Sequence, residues 1–214
     1  MPRLQSIFYS LIVASTLAPT IAWPGTLTYF IDTNTSTLSG DQGYIDLQFN
    51  ALSGAQNATA AIQNFSTNGL LNPATIVYAG DASGSLAGTV SIANGALHAS
   101  GYNDYNEALK FGSLTQFEIT LSGPAVNSPN GSPASTFALS FYAADDSTPL
   151  LSDDPSGASA TITINPNGSD TIESFPDPNG GLDTRIIASA PEPLSLLLLS
   201  LGLLTLGIWH LAKL

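Results

Sequence analysis

The chain has 214 residues, in which 4 Lys and Arg stand against 16 Asp and Glu for a formal charge of −12 at pH 7. That balance excludes nucleic acid as a partner, because phosphate binding needs a basic footprint. The absence of cysteine removes disulfides, thiol catalysis, cysteine-type zinc sites, haem attachment and iron–sulfur clusters.

In chain order, the first element is residues 1–22. Arg3 precedes the apolar stretch Ile7 to Leu17, and Thr20-Ile21-Ala22 supplies the small residues a signal peptidase reads, so this segment is expected to be a cleaved secretory signal that leaves Trp23 as the new N-terminus. An uncleaved anchor is the alternative; its apolar core is shorter than the roughly 17 residues a span needs. Either way the body is exported.

The body, residues 23–175, carries period-two alternation, the mark of strands with one buried face. Leu27, Tyr29 and Ile31 alternate with Thr28, Phe30 and Asp32; Ile45, Leu47 and Phe49 alternate with Tyr44, Asp46 and Gln48. The pattern returns at Leu86, Val90 and Ile92, at Phe117, Ile119 and Leu121, at Phe137, Leu139 and Phe141, and at Ile162 and Ile164. Shorter runs at Thr59 to Phe65, Thr75 to Tyr78 and Ala96 to Ala99 bring the expectation to about nine strands.

Asn94-Gly95, Asn130-Gly131, Asn167-Gly168 and Asn179-Gly180 are turn signals, because Asn and Gly tolerate the positive φ of tight turns. A hairpin is expected at Asn94-Gly95. Helical periodicity is nearly absent before residue 194 apart from one turn around Asn106 to Lys110. The expectation is therefore an all-β fold, an antiparallel β-sandwich of one domain, with a jelly roll as the finer possibility. Gly123 to Ser135 reads as a long loop within it. Residues 176–190, rich in Pro and Gly, read as a linker.

The remaining segment, 191–214, carries the most specific signal. Pro191-Glu192-Pro193 is followed at once by Leu194 to Leu211, a run without charge whose 18 residues reach roughly 27 Å as a helix, close to the hydrocarbon thickness of a bilayer. Lys213 beyond the run, with Asp183, Arg185 and Glu192 before it, directs the C-terminal end to the cytoplasm and the body outward. This organisation resembles the PEP-CTERM proteins of Gram-negative bacteria. The resemblance implies that Pro191, Glu192 and Pro193 are a sorting motif, and that an exosortase, a membrane protease-transpeptidase, cuts near it and releases or re-attaches the body at the cell surface. Members of that family commonly end in several Arg or Lys, whereas this chain offers His210 and Lys213. A plain C-terminal anchor is the competing reading, with the prolines only starting the helix. A GPI signal fits poorly, because the polar spacer of roughly 8 to 12 residues is missing.

Three groups in the body are weighed for chemistry. His98, the one histidine there, is the residue a Ser-His-Asp hydrolase would need, but no Gly-x-Ser-x-Gly elbow accompanies it. Asp145-Asp146 and Asp153-Asp154 are the first candidates for calcium, whose hard ion takes 6 to 8 oxygens; solvated loop acids are the competing reading, and none shows EF-hand order. Tyr102, Asn103, Asp104, Tyr105, Asn106 and Glu107 combine aromatics with amide and acid groups that stack on and hydrogen-bond sugars, although the same residues are ordinary in turns. No catalytic residue is assigned.

The expectation is an exported, non-enzymatic structural or adhesive protein of the cell envelope or extracellular matrix. Its association with exopolysaccharide comes from the family resemblance alone. A carbohydrate-binding module is the rival, and a secreted hydrolase the more distant one.

Overall fold

The structure, a computed structural model, describes residues 25–95, 102–178 and 181–189. The expected signal segment 1–22, His98, the Pro191-Glu192-Pro193 motif and the apolar run to Leu211 lie outside the described residues. Among the described residues no helix is long and apolar enough to cross a membrane.

The chain is all-β. In order its strands are β1 (Thr26–Asn34), β2 (Gln42–Ala51), β3 (Thr59–Thr67), β4 (Leu70–Leu71), β5 (Val77–Ala79), β6 (Ala82–Gly84) and β7 (Val90–Ala93). They continue with β8 (Asp104–Lys110), β9 (Leu114–Ser122), β10 (Ser135–Ala143), β11 (Pro149–Leu150), β12 (Ala158–Ile164), β13 (Asp170–Ser174) and β14 (Thr184–Ala188). One sheet has the order β14-β1-β9-β3-β7-β6; the other has the order β13-β12-β10-β2-β8-β4, with β11 on β10 and β5 on β8. All pairings are antiparallel. Strands adjacent in sequence mostly fall in different sheets, an arrangement compatible with a β-sandwich.

Alternation sets which face each strand buries. Tyr29 and Ile31 of β1 lie opposite Ile119 and Phe117 of β9, and Phe49, Leu47 and Ile45 of β2 lie opposite Phe137, Leu139 and Phe141 of β10. These side chains, with Ile62, Ile92, Tyr105 and Ile162, belong to one buried cluster. Each large apolar side chain so buried contributes about 1.5–3 kcal/mol, and at that size one continuous core suffices without disulfides.

The turn chemistry agrees in part. Gly168 has φ 77° and closes the β12–β13 hairpin, where its N–H bonds to Asn165 and the Asn165 N–H bonds to Ser169. Asn94 is instead a buried brace: its side chain accepts from the Ala58 N–H and donates to Gln56 and Ser135. The second arm of the hairpin expected there lies outside the described residues, and β7 is already flanked by β3 and β6.

Two segments differ from expectation. The turn anticipated around Asn106 to Lys110 is strand β8, which lies between β2 and β4 in the second sheet. Its acids and amides disguise it, because Glu107 occupies an inward position where an apolar residue would complete the alternation Tyr105, Glu107, Leu109. Part of the anticipated linker 176–190 is strand β14, paired with β1 from Thr184 opposite Thr33 to Ala188 opposite Tyr29. Ile186 packs against the core there, which a solvated linker would not allow.

A buried acidic patch as candidate functional site

Strands β8, β2 and β10 lie side by side, and their outward positions form one polar surface. Asp46 of β2 sits opposite Asn106 of β8 on one side and Ser140 of β10 on the other; Gln48 sits opposite Asp104. Directly opposed residues in such a ladder have Cβ atoms about 4.5–5.5 Å apart, and diagonal neighbours about 7–8 Å. Asp46, Asp104 and Asn106 therefore converge through register alone. The pairing of β10 with β12 shifts register at Leu139 and Ser140, a bulge directly beside Asp46.

An outward face ordinarily meets water. Here Asp46 retains 6% of its exposure, and Asp104 and Asn106 retain 8% each. A run of amides holds the floor in place: Gln48 donates to Asp46 at 3.2 Å, Asn50 donates to Gln48 at 3.1 Å, and the Asn103 N–H donates to Asn50 at 2.7 Å. Asn106 Nδ2 donates to Asp146 Oδ1 at 2.9 Å, which brings in a third carboxylate from the β10–β11 turn. Asp146 adopts φ 54° there, a left-handed conformation that Asp accepts more readily than most residues.

The carboxyl groups of Asp46 and Asp104 hydrogen-bond to each other, which requires one proton between them. Burial is the main force raising both. Asp104 is pushed up to about 8, first by desolvation and then by its bond and charge contact with Asp46 and the charge of Asp146. Asp46 is raised by desolvation and by Asp146, against the lowering effect of hydrogen bonds from Asp104 and Gln48. Tyr142, next along β10, is raised by its own burial and by the charges of Asp46, Asp104 and Asp146, while a hydrogen bond with Ser140 lowers it. The body's basic residues do not relieve this field. Lys110 is exposed at the other end of β8, opposite Gln42, and Arg185 lies in the other sheet opposite Asp32.

Three oxygens of the patch, Asp46 Oδ1, Asp104 Oδ1 and Asn106 Oδ1, are buried without a hydrogen-bond partner. Such orphans are rare in folded proteins and cost about 1–3 kcal/mol each. A pair of carboxyl groups in direct contact also leaves no room for the sugar and water that a glycosidase pair, about 5 to 9.5 Å apart, must admit.

On the inner face of the same strand, Glu107 is fully buried. Tyr105 Oη donates to Glu107 Oε2 at 2.5 Å and accepts the Leu86 N–H at 3.2 Å, while Glu107 Oε1 has no partner. Desolvation raises Glu107, and the bond from Tyr105 opposes the rise. Two clefts elsewhere are of different character: about 370 Å³ beside Phe65, Leu71 and Leu86, and about 280 Å³ beside Leu38, Leu150 and Pro178.

The residues singled out from sequence divide unevenly. Tyr102 is 46% exposed, Asn103 and Asp104 are buried in the polar surface, and Tyr105 is in the core. Tyr105 is therefore no surface aromatic for a sugar ring, because alternation along β8 turns it inward with Glu107 and Leu109. Asp145 is exposed and is lowered to about 2, chiefly by the Thr148 hydroxyl and then by the Thr148 and Ser147 N–H groups. Asp153 and Asp154 follow β11, where Asp154 accepts from the N–H and hydroxyl of Ser156. Among the described residues no three His, Cys, Asp or Glu are grouped as a metal centre, so no three of Asp145, Asp146, Asp153 and Asp154 come together. Asp46 lies outside those groups, whereas Asn106 belongs to the group from Tyr102 to Glu107. The available signal was an aspartate inside the apolar alternation of a central strand, where Asp is depleted.

Comparison of the chain with family models, with curated proteins and with solved structures returns no match.

Proposed function

We propose that the chain is an exported structural or adhesive protein of the cell envelope or extracellular matrix, delivered by a PEP-CTERM-like signal. The observation that carries this reading is the sequence Pro191-Glu192-Pro193 placed directly before the uncharged run Leu194 to Leu211. The signal-like residues 1–22 support it independently, as does a cysteine-free acidic body built of antiparallel sheets. The body acts as cargo, a β-sandwich of jelly-roll type in which the chain passes back and forth between layers, and it carries no catalytic residue. An exosortase-type enzyme is the processing partner, and exopolysaccharide is the material with which the mature protein associates.

The test is the mass of the surface form after expression in a host that has an exosortase. Loss of Leu194 to Leu214 is expected, and replacing Pro191, Glu192 and Pro193 by Ala abolishes that loss. An intact C-terminal segment on the surface form would overturn the reading.

A second reading, glycan binding, is favoured by exposed Tyr102 beside the polar floor of Asn103 and Asp104. Binding on a glycan array that falls with Tyr102→Ala supports it over the purely structural role. Turnover abolished by His98→Ala would replace both with a hydrolase.

A further inference from the structure

We propose that the outer face of the second sheet holds a divalent cation, calcium by its donor chemistry, ligated by Asp46 Oδ1, Asp104 Oδ1 and Asn106 Oδ1. This goes beyond the delivery reading and does not depend on it. Three features converge on the site.

The first is the set of orphan oxygens. Asp46, Asp104 and Asn106 are each more than nine-tenths buried, and each has one oxygen without a partner. They are not scattered, since the β2–β8 register sets Asp46 opposite Asn106 and Asp104 two residues along the same face. No donor among the described residues reaches these oxygens. A cation with oxygen ligands satisfies them together.

The second is the amide of Asn106. Its Nδ2 is committed to Asp146 Oδ1, and turning the amide over would set oxygen against carboxylate. Its carbonyl oxygen is therefore fixed as an acceptor, and no donor reaches it.

The third is uncompensated charge. Asp46 and Asp104 have Asp146 close by, and neither Lys110 nor Arg185 lies near. The ligands are all oxygens, with no imidazole or thiolate. That chemistry suits calcium or magnesium over zinc, and the ladder of backbone-fixed side chains, with water completing the shell, suits the larger and less geometrically demanding calcium ion. The site contains two carboxylates and an amide, so its signature differs from a cluster of three acids.

The experiment is calorimetric titration of the full chain, purified in detergent, with calcium chloride at pH 7.5. One saturable site is expected. Asp104→Asn keeps a hydrogen bond to Asp46 as the protonated acid does, so this variant folds, as judged by circular dichroism, and loses at least tenfold in calcium affinity. Asp145→Asn and Asp153→Asn leave the affinity unchanged. Magnesium binds at least tenfold more weakly. Absence of saturable binding at millimolar calcium and pH 7.5 would overturn the proposal and leave the pair as a proton-sharing contact. Binding that survives Asp104→Asn but is lost with Asp145→Asn would overturn it as well, by moving the ion to the turn. Neither result bears on C-terminal processing, so the two proposals fail separately.

Discussion

The two faces of β8 bury acids under different rules. Inward, Glu107 stands alone among apolar side chains, tied to Tyr105 through one hydrogen bond. Outward, Asp104 meets Asp46 directly and has Asp146 nearby. A lone carboxyl in a core has a simple remedy, which is to keep its proton and serve as a neutral hydrogen-bonding group. A pair that shares one proton still carries a buried charge. The inner acid is thus a structural brace with one open oxygen, Glu107 Oε1, while the outer pair combines open oxygens with a charge.

The largest expected effect tests the brace. Tyr105 is fully buried and links Glu107 to the backbone at Leu86, so Tyr105→Ala should cost about 3–5 kcal/mol in urea unfolding. A loss below about 1 kcal/mol would show that β8 is not packed on the core as described.

A second effect sharpens the contrast through pH. Asp46, Asp104 and Glu107 are all raised, so the folded chain holds protons that the unfolded chain releases. Their contribution is most favourable below the ordinary carboxylate range near 4 and declines as pH rises, until about 8 for Asp104. Each retained proton gives a slope of up to about 1.4 kcal/mol per pH unit. Stability curves without calcium should show this decline, and Asp104→Asn should flatten it between pH 5 and 8. A curve identical to that of the parent chain would sever the link between pair and slope.

The smallest effect separates the two faces. If Glu107 is a neutral brace, Glu107→Gln preserves its shape and its acceptor, and it should change stability at pH 7 by less than about 1 kcal/mol. It should also leave calcium titration untouched. A large loss at pH 7 would mean that Glu107 is ionised in the core.

These contrasts also explain what the sequence could convey. Phe117, Ile119 and Leu121, or Phe137, Leu139 and Phe141, advertise their strands because every second residue is apolar and all of them are buried. The Asn167-Gly168 turn is equally legible, since Gly168 needs its positive φ. Strand β8 was hidden because Glu107 breaks the inward series while Asp104 and Asn106 mimic a loop. Strand β14 was hidden by the Pro and Gly that precede it. The patch was the least accessible part, for Asp46 meets residues 104 and 106 only through a cross-strand register between distant stretches of chain. Local pattern carries no information on which strand will lie next to which.

The pairing of the body's first and last described strands has a consequence for presentation. Strands β1 and β14 run antiparallel, Ala188 lies opposite Tyr29, and the Ser189 N–H bonds to Thr28, so the polypeptide enters and departs at the same pole. A tether on either terminus would therefore suspend the body in one attitude. The turn between Thr35 and Asp41, at the far end of β1, becomes the tip presented to the surroundings.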